Sequence, residues 1–509
     1  MSYERPIASH RAPTPSRKKD DGKIGRRSAL RLAGTGGLLA AGGGALGAYA
    51  ERTFGGGGDM ANAAAVADLN FAGGKTAADL TVPSIPPSGR RPKYRRATWS
   101  EQFQGKHGWS IGGSGTASSE RYDTERFIRG TQSLRVTTAG NGKQSYVRKT
   151  GLDPQNLTGK MIRLIFRVDD TAKLSKLVFY LGSQGLANNF VWQYHIHSAK
   201  AANYVQSGEW VTVHLQWSDV RGAAGAFSVS RDGVPSTTTG FTDMSFAAYD
   251  SGGGPVTYNL QAIEAVPDTS AVFPKGVVSI TFDDSHHSVH GLGRPTMDAY
   301  GFPGTIYNIA DAIGTNGFLT IDQMRSMQNF SGWEMAGHAY ANDAHTASYE
   351  KLSAEQVDDD LRKLREWLVS NGFTSEHFAY PHGSFQKTTD GVPVDLLASR
   401  HFTTARSIIS ETIESFAPAM PYRLKSLTGI TDGEGVGGTQ LDQLTGVGGR
   451  LDRCAKNGDW LILCLHRITD GPPKSSTEIS REGLAALMKE IDDRGMPVVT
   501  VEEAMTYYR

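Results

Sequence analysis

Two rhythms of hydrophobic and polar residues divide most of the chain. From about residue 95 to 266, short segments alternate apolar and polar positions. In MIRLIFRV the alternating apolar residues are Ile162, Leu164, Phe166 and Val168. Many short strands of this kind, separated by turn-rich gaps and without a helix-period segment, predict an antiparallel β-sandwich of the jelly-roll type.

A second rhythm covers residues 272–509. Short apolar segments such as VVSITF, WLILCL and MPVVTV alternate with helix-period segments. The clearest helix would begin at a capping box formed by Ser353 and Gln356 and end near Gly372. Its apolar face comprises Val357, Leu361, Leu364 and Leu368. Alternating strands and helices predict an α/β domain whose parallel sheet closes as a distorted (β/α) barrel.

The first 94 residues show neither rhythm. Residues 51–94 are rich in Gly, Ala and Pro and are predicted to be a disordered linker. Within residues 1–50, Arg26 and Arg27 precede a weakly apolar run that ends in Ala48-Tyr49-Ala50. This segment resembles a twin-arginine export signal, which implies a bacterial protein that is secreted or associated with the cell envelope. Cleavage of the signal and its retention as a membrane anchor both stay open.

Charge, hydropathy and cysteine content limit the expected binding partners and the state of the two cysteines. The formal net charge is +1, so nothing in the overall charge indicates nucleic-acid binding. Beyond the signal segment, no apolar run is long enough to span a bilayer, so the only membrane contact expected is an uncleaved anchor. The two cysteines, Cys454 and Cys464, are predicted to be buried free thiols, with a disulfide as the alternative.

Acids and imidazoles stand where the predicted parallel strands end. Asp283 and Asp284 follow VVSITF, and His338, His382 and His466 end three other strands. In a barrel, such strand ends meet at one face, where chemistry is found. One carboxylate and two neutral imidazoles suit a divalent transition metal with open positions for water. The remaining acid and imidazole could then serve as general base and general acid.

The segments around these residues carry a family resemblance. TFDD, EMAGH, FAYPHG, ARSI and LHRI occur in this order within about 270–509. This order resembles the polysaccharide deacetylases, the NodB-homology fold of carbohydrate esterase family four. The resemblance implies hydrolytic removal of N- or O-acetyl groups from a polysaccharide such as peptidoglycan, a chitin-type glucosamine polymer or acetylated xylan.

The resemblance also implies roles for single residues. Asp283 would be the general base and His466 the general acid that protonates the leaving group. Arg406 would orient the base, and Leu465 would line the pocket for the acetyl methyl group.

The resemblance implies a metal site as well, with a divalent cofactor for which zinc is the first choice. Asp284 and His338 would be two ligands. The family's next histidine position is occupied by Asn342, and His345 follows three residues later. We expect His345 to be the third ligand after a small loop insertion, with Asn342 or water as the alternative. Further histidines at 286–290 would be a second metal cluster or ordinary loop residues.

A substrate-binding segment is implied by Tyr380, Pro381 and His382. The backbone N–H near His382 would help to hold the oxyanion. Here Ala379 and His382 replace the arginine and tyrosine of the family's motif, which puts side-chain contacts with the sugar in doubt.

Three functions are compatible with these residues. The leading one is a metal-dependent deacetylase acting on an extracellular polysaccharide, and the alternative is a non-catalytic glycan-binding protein with a degenerate barrel. Hydrolysis of a non-sugar amide is disfavoured by the export signal and the appended sandwich. The sandwich itself is a candidate carbohydrate-binding module. Trp192, Tyr194 and Trp210 could stack on sugars, although a place in the core is the favoured interpretation.

Overall fold

The computed structural model describes residues 80, 83–88, 95–195, 204–219, 240–268, 270–409, 413–415 and 418–507. The predicted export signal and most of the predicted linker lie outside the described residues. No helix of the described part combines the length and apolar character that a membrane span requires. The strands form an N-terminal antiparallel group and a C-terminal parallel group, both within one unit of the chain.

The N-terminal group forms two antiparallel sheets, which confirms the predicted antiparallel strands. One sheet has the order β3-β4-β11-β6-β9, with β1 beside β11, and the other has the order β2-β5-β10-β7-β8. The strands are β1 (Trp99–Glu101), β2 (Ser110–Gly112), β3 (Thr116–Asp123), β4 (Ser133–Thr138), β5 (Gln144–Lys149), β6 (Lys160–Val168), β7 (Leu174–Ser183), β8 (Asn188–His195), β9 (Trp210–Leu215), β10 (Asp243–Asp250) and β11 (Thr257–Pro267).

Apolar side chains of the two sheets share one hydrophobic core. The apolar row predicted in β6 is buried in it. Trp192 also belongs to this core, and its indole N–H donates to the Gln216 carbonyl at 2.8 Å. Trp210 is half-buried, and the side chain of Tyr194 lies outside the described part. Trp192 is therefore a core residue, as the favoured interpretation predicted.

The C-terminal group contains a seven-stranded parallel sheet in the order β16-β15-β14-β13-β12-β20-β17. Two small sheets pair β18 with β19 and β21 with β22. The strands are β12 (Val277–Phe282), β13 (Thr305–Ile309), β14 (Glu334–Ala339), β15 (His377–Ala379), β16 (Thr404–Arg406), β17 (Leu427–Thr428), β18 (Ile430–Thr431), β19 (Thr439–Gln440), β20 (Trp460–Leu465), β21 (Arg467–Thr469) and β22 (Glu478–Ser480).

The predicted barrel is confirmed only in part, because the sheet is a partial barrel. Its two edge strands, β16 and β17, form no ladder with each other among the described residues. A single parallel bridge joins Arg406 to Leu424 at this side. Pro418 and Pro421 lie in the connection between the two strands. Proline has no N–H to give to a ladder, so this connection is a poor continuation of the sheet.

Helices cover the parallel sheet. They are α1 (Arg294–Asp298), α2 (Ile321–Ser331), α3 (Asn342–Ala347), α4 (Ala354–Ser370), α5 (Val394–His401), α6 (Leu441–Thr445), α7 (Arg450–Asn457), α8 (Arg481–Asp493) and α9 (Val501–Tyr507). The predicted capping box of α4 is confirmed. Ser353 Oγ accepts from Gln356 N at 3.3 Å, and Gln356 Oε1 accepts from Ser353 N at 2.9 Å. The four predicted apolar residues of α4 are fully buried.

The strand predicted at 496–501 is wrong. Only Val498 makes a parallel bridge, to Val278 of β12. A capping box starts α9 inside the predicted strand: Thr500 Oγ1 accepts from Glu503 N, and Glu503 Oε2 accepts from Thr500 N, both at 3.1 Å. The cap satisfies backbone N–H groups locally, so they are not free for a ladder.

The connection between β16 and β17 packs into the sandwich. Met420 belongs to the sandwich core. Arg423, which is 1% exposed, donates to Asp395 of α5 at 2.8 Å and to Glu209, beside β9, at 2.6 Å. It also donates to the Tyr204 carbonyl at 2.8 Å. A buried cation therefore links the antiparallel and parallel groups.

Candidate active site

The C-terminal ends of the parallel strands place acids and histidines at one edge of the sheet. Asp283 and Asp284 follow β12, and His338 lies near the end of β14. His382 follows β15, and His466 follows β20 directly. The sequence analysis expected this common edge, because parallel strands all present their carboxyl ends on the same side.

Asp284, His338 and His345 bring three ligand atoms together and are called the ligand cluster below. Asp284 Oδ1 lies 3.1 Å from His345 Nε2 and 3.5 Å from His338 Nε2, and the two nitrogens are 3.1 Å apart. His338 Nδ1 donates to the Ala379 carbonyl at 2.7 Å, which leaves the lone pair of Nε2 for the cluster. One carboxylate oxygen and two imidazole nitrogens this close to one another fit a divalent cation.

Helix α3 carries His345 into the ligand cluster. Asn342, the alternative ligand, begins this helix, and its backbone N–H donates to Asp311 Oδ1 at 2.8 Å. His345 stands nearly one turn later. The carbonyl of His345 accepts a hydrogen bond from His382 Nε2 at 3.0 Å. His382 therefore supports the backbone of the helix that presents the third imidazole.

Asp283 is buried beside Arg406. Arg406 Nη2 donates to Asp283 Oδ2 at 2.5 Å, and Nη1 donates to Ser426 Oγ at 3.1 Å. Burial raises the pKa of Asp283, but the charges of Arg406 and His338 outweigh it, so the pKa lies below its ordinary value. Oδ1 of Asp283 has no hydrogen-bond partner among the described residues. An ionised carboxylate with a free oxygen can accept a proton.

His466 also lies close to Asp283. One of its ring nitrogens, the Asp283 carboxylate and the Cys464 thiol lie within 4.8 Å of one another. Cys464 Sγ donates to Asp283 Oδ2 at 3.4 Å, and burial raises the pKa of this thiol to about 12. Leu465, between the two, is buried. Within the described residues, His466 Nδ1 is buried without a partner.

The region that carries this arrangement is similar to known proteins. Residues 271–396 match the family model of polysaccharide deacetylases. A poly-β-1,6-N-acetyl-D-glucosamine N-deacetylase of Staphylococcus aureus is 28% identical over 123 residues, which cover 22% of this chain and 42% of the relative. The putative polysaccharide deacetylase YxkH of Bacillus subtilis is 28% identical over 117 residues, which cover 22% and 39%. The chain thus spans less than half the length of these relatives. The matches support a polysaccharide deacetylase domain in its C-terminal half.

Solved structures show weaker similarity. A family 4 acetyl xylan esterase from Clostridium thermocellum, in complex with a cobalt ion, is 18% identical, and the match covers 45% of this chain and 91% of that one with a TM-score of 0.29. A family 11 carbohydrate-binding module from the same organism is 11% identical, covering 33% and 93% with a TM-score of 0.25. Similarity at this level carries no functional argument.

Two of the expected substrate-binding residues have buried side chains. Tyr380 is 1% exposed, and its hydroxyl donates to the Tyr422 carbonyl at 2.9 Å. Pro381 is also buried, whereas His382 is exposed. The backbone of His382 has φ of +55°, a left-handed conformation that is uncommon for residues other than glycine. Only His382 therefore presents an open side chain at this position.

Other contacts near the ligand cluster could not be read from the sequence. The guanidinium carbon of Arg406 lies 4.9 Å from the ring centroid of Tyr307, a buried residue of β13. His286 Nε2 lies 3.7 Å from Asp284 Oδ2. None of the three histidines of the 286–290 segment, His286 included, belongs to a metal-binding group among the described residues. The only feature of the sequence that could have indicated the contact between Tyr307 and Arg406 is the position of Tyr307 within a predicted strand.

Proposed function

We propose that the chain is a metal-dependent hydrolase that removes acetyl groups from an extracellular or cell-wall polysaccharide. The observation that carries this proposal is the distance of 4.0 Å between His338 Nε2 and Asp283 Oδ2. It places a buried, ionised carboxylate directly beside the ligand cluster. A base and a metal-binding group at this separation can act on one water molecule. The family match to residues 271–396 supports the same reaction class.

The ligand cluster would hold a divalent metal, with zinc as the first choice. When bound, the metal would supply Lewis-acid polarisation of the acetyl carbonyl and would favour ionisation of water. One carboxylate and two imidazoles form a donor set typical of catalytic zinc sites that keep a position open. The hydrogen bond from His338 Nδ1 to Ala379 would fix the orientation of that ligand.

The residues around the ligand cluster would move the protons. Asp283 would take a proton from the water that attacks the acetyl carbon, and Arg406 keeps Asp283 ionised for this step. The backbone N–H of His382 would help to stabilise the oxyanion that forms. As the bond from the carbonyl carbon to the leaving nitrogen or oxygen breaks, His466 would give that atom a proton. Leu465 would line the pocket for the acetyl methyl group.

An N-acetylglucosamine polymer is the proposed substrate, with acetylated xylan as the second choice. The name of the Staphylococcus aureus relative supports the first, since that protein is an N-deacetylase of a glucosamine polymer. We further propose export through the twin-arginine motif at Arg26 and Arg27. We also propose a sandwich module at 95–266 and a catalytic domain at 272–509. The non-catalytic alternative is not favoured, because base, acid and ligand cluster all stand together.

Acetate release from a panel of acetylated glycans, with and without a chelator, tests this function. The metal-loaded protein should release acetate from at least one glycan, and the chelator should abolish it. Asp283→Asn should lower turnover by about 10²-fold or more while the protein stays folded. Asp470→Asn, at an exposed position, is the matched control and should leave turnover unchanged. Absence of acetate release from every glycan would reject the proposal.

A further inference from the structure

A second surface with binding chemistry lies on the outer face of the sheet β2-β5-β10-β7-β8. Core residues such as Phe179 and Phe246 alternate with residues that point away from the core. The strand register aligns these outward residues in three rungs. From β5 towards β8, the rungs are Gln144–Tyr249–Lys176–His195, Tyr146–Ala247–Val178–Gln193 and Arg148–Ser245–Tyr180–Val191.

Three tyrosines cover the centre of these rungs. Tyr146, Tyr180 and Tyr249 pack on small and β-branched residues in a cluster separate from the sandwich core. Each tyrosine is half-buried, so part of each ring faces solvent. The ring of Tyr146 lies close over Gly112 of β2, where an added Cβ would come within 2.7 Å of Tyr146 Oη. A residue larger than glycine at this position would therefore require the Tyr146 ring to shift.

Two cations complete the surface, which is called the tyrosine face below. The Arg148 guanidinium carbon lies 4.8 Å from the ring centroid of Tyr146, and Lys176 Nζ lies 4.5 Å from that of Tyr249. Such contacts hold each cation over an aromatic ring. Among the described side chains of the three rungs, Arg148 and Lys176 are the only charged ones. As far as the described side chains of these rungs go, the face is therefore aromatic and positively charged and offers no carboxylate.

Polar donors surround the rings. Gln144 Nε2 donates to the Tyr180 hydroxyl at 3.5 Å. Burial, followed by the neighbouring Tyr180, raises the pKa of Tyr249 to about 12, so this hydroxyl stays protonated at neutral pH. Arg148 and Lys176 can only donate hydrogen bonds. A ligand that fits this face has apolar surfaces for the rings, many acceptors for the donors and no positive charge.

We propose that the tyrosine face binds the acetylated, neutral form of an N-acetylhexosamine polysaccharide and discriminates against its deacetylated form. Sugar rings present apolar C–H surfaces to aromatic rings, and their hydroxyl and acetamido oxygens accept hydrogen bonds. Each deacetylated sugar carries an ammonium group, which the charges of Arg148 and Lys176 repel. The identity of the polymer rests on the proposed function. Binding of this kind would keep the deacetylase on polymer that has not yet reacted.

Calorimetric titration of the full-length chain tests the aromatic part of the proposal. The probes are β-1,6-linked N-acetylglucosamine oligosaccharides and the same oligosaccharides after full deacetylation. All proteins carry Asp283→Asn, so that the probe is not consumed. The double variant Tyr180→Ala/Tyr249→Ala should bind the acetylated probe about tenfold more weakly. Tyr122→Ala, a tyrosine that is 41% exposed on the other sheet, is the matched control and should bind unchanged.

A second pair of variants tests the charge discrimination. Arg148→Gln/Lys176→Gln should strengthen binding of the deacetylated probe at least threefold, and added salt should act in the same direction on the parent protein. Tyr180→Phe/Tyr249→Phe keeps the rings and should retain binding of the acetylated probe, which separates loss of stacking from misfolding. Equal binding of both probes by the parent protein would overturn the proposal. Unchanged affinity in the alanine double variant, or tighter binding of a polyuronate, would overturn it too.

Failure of the proposed function gives a different result. The alanine double variant, made without the Asp283 substitution, should release acetate from a small acetylated substrate at the parent rate. If the parent releases no acetate while the tyrosine variants lose binding, the deacetylase proposal fails and the tyrosine face stands. If acetate is released while the tyrosine variants bind normally, only the tyrosine face is rejected.

Discussion

Arg406 Nη2 lies 2.5 Å from Asp283 Oδ2, and the two side chains expose only 1% and 5% of their surface. Arg406 belongs to β16 and Asp283 follows β12, and three strands separate these two in the sheet order. The contact therefore crosses the interior of the curled sheet instead of running between neighbours. Solvent hardly screens such a buried pair, so the ionisation of Asp283 depends directly on Arg406.

Replacement of Arg406 should shift the acidic limb of the pH–rate profile. Arg406 lowers the pKa of Asp283, so its loss should raise that pKa by roughly 1–3 units. In Arg406→Met, the acidic limb of kcat/KM should shift to higher pH, and Arg406→Lys should shift it less. Ser426→Ala removes a hydrogen-bond partner of Arg406 without removing charge and should leave the limb in place. A pH–rate profile that does not move in Arg406→Met would contradict the assignment.

Metal content distinguishes the two candidates for the third ligand. His345 Nε2 lies 3.1 Å from Asp284 Oδ1, whereas Asn342 is exposed and its backbone N–H donates to Asp311. His345→Ala should therefore lose bound metal, and Asn342→Ala should keep it. Elemental analysis of the purified variants measures this directly. Loss of metal from Asn342→Ala with full retention in His345→Ala would exchange the two assignments.

The role of His466 predicts a dependence on the leaving group. An amine leaves poorly without a proton, whereas the phenolate of an activated acetate ester leaves without one. His466→Ala should therefore lose about 10²-fold or more in kcat on acetylated glucosamine oligosaccharides. It should lose much less on an activated ester. Equal losses on both substrates would show that His466 acts before the bond breaks.

Asp459 should make stability depend on pH. Burial raises its pKa from the ordinary 3.8 to about 8, and Ser218 Oγ of the sandwich donates to it at 2.5 Å. Between these values the folded chain binds a proton that the unfolded chain releases. The contribution of protonated Asp459 to the free energy of unfolding is thus fully present below about pH 4. It is lost as the pH rises towards about 8.

Urea unfolding at about pH 5 and about pH 8 measures this effect. Asp459→Asn should flatten the decline, because the amide keeps the shape and has no proton to lose. Each unit of pKa difference corresponds to about 1.4 kcal/mol. Asp470→Asn, at an exposed position, should leave the decline as it is. An unchanged slope in Asp459→Asn would place the titrating group elsewhere.

The sequence predicted the strand ends of the candidate site better than the shape of the sheet. Asp283 and His466 directly follow apolar runs that can be recognised as parallel strands from the local sequence. Their position at one common edge of the sheet could therefore be inferred. The partial closure of the barrel could not be inferred from the sequence. It depends on how the edge strands β16 and β17 meet across the proline-containing connection between them. The prediction of a strand at 496–501 was wrong, because the helix cap at Thr500 outweighs the preference of the valines for a strand.

The tyrosine face escaped the sequence analysis for another reason. In KLVFYLG both sets of alternating residues are largely apolar, with Val178 and Tyr180 on one side and Leu177 and Phe179 on the other. Alternation alone cannot tell which set faces the core. Only the second sheet, which covers Leu177 and Phe179, decides it.

The packing of Met420 and Arg423 against the sandwich has an evolutionary consequence. A recombination event that exchanged the sandwich for an unrelated module would remove Glu209 from Arg423 and leave the Met420 side chain in water. The C-terminal parallel group would then carry an Arg423 that has lost two partners, Glu209 and the Tyr204 carbonyl, and a newly exposed apolar residue. Compensating substitutions in the β16–β17 connection would have to arise with the exchange, so lineages should inherit the two parts as a pair.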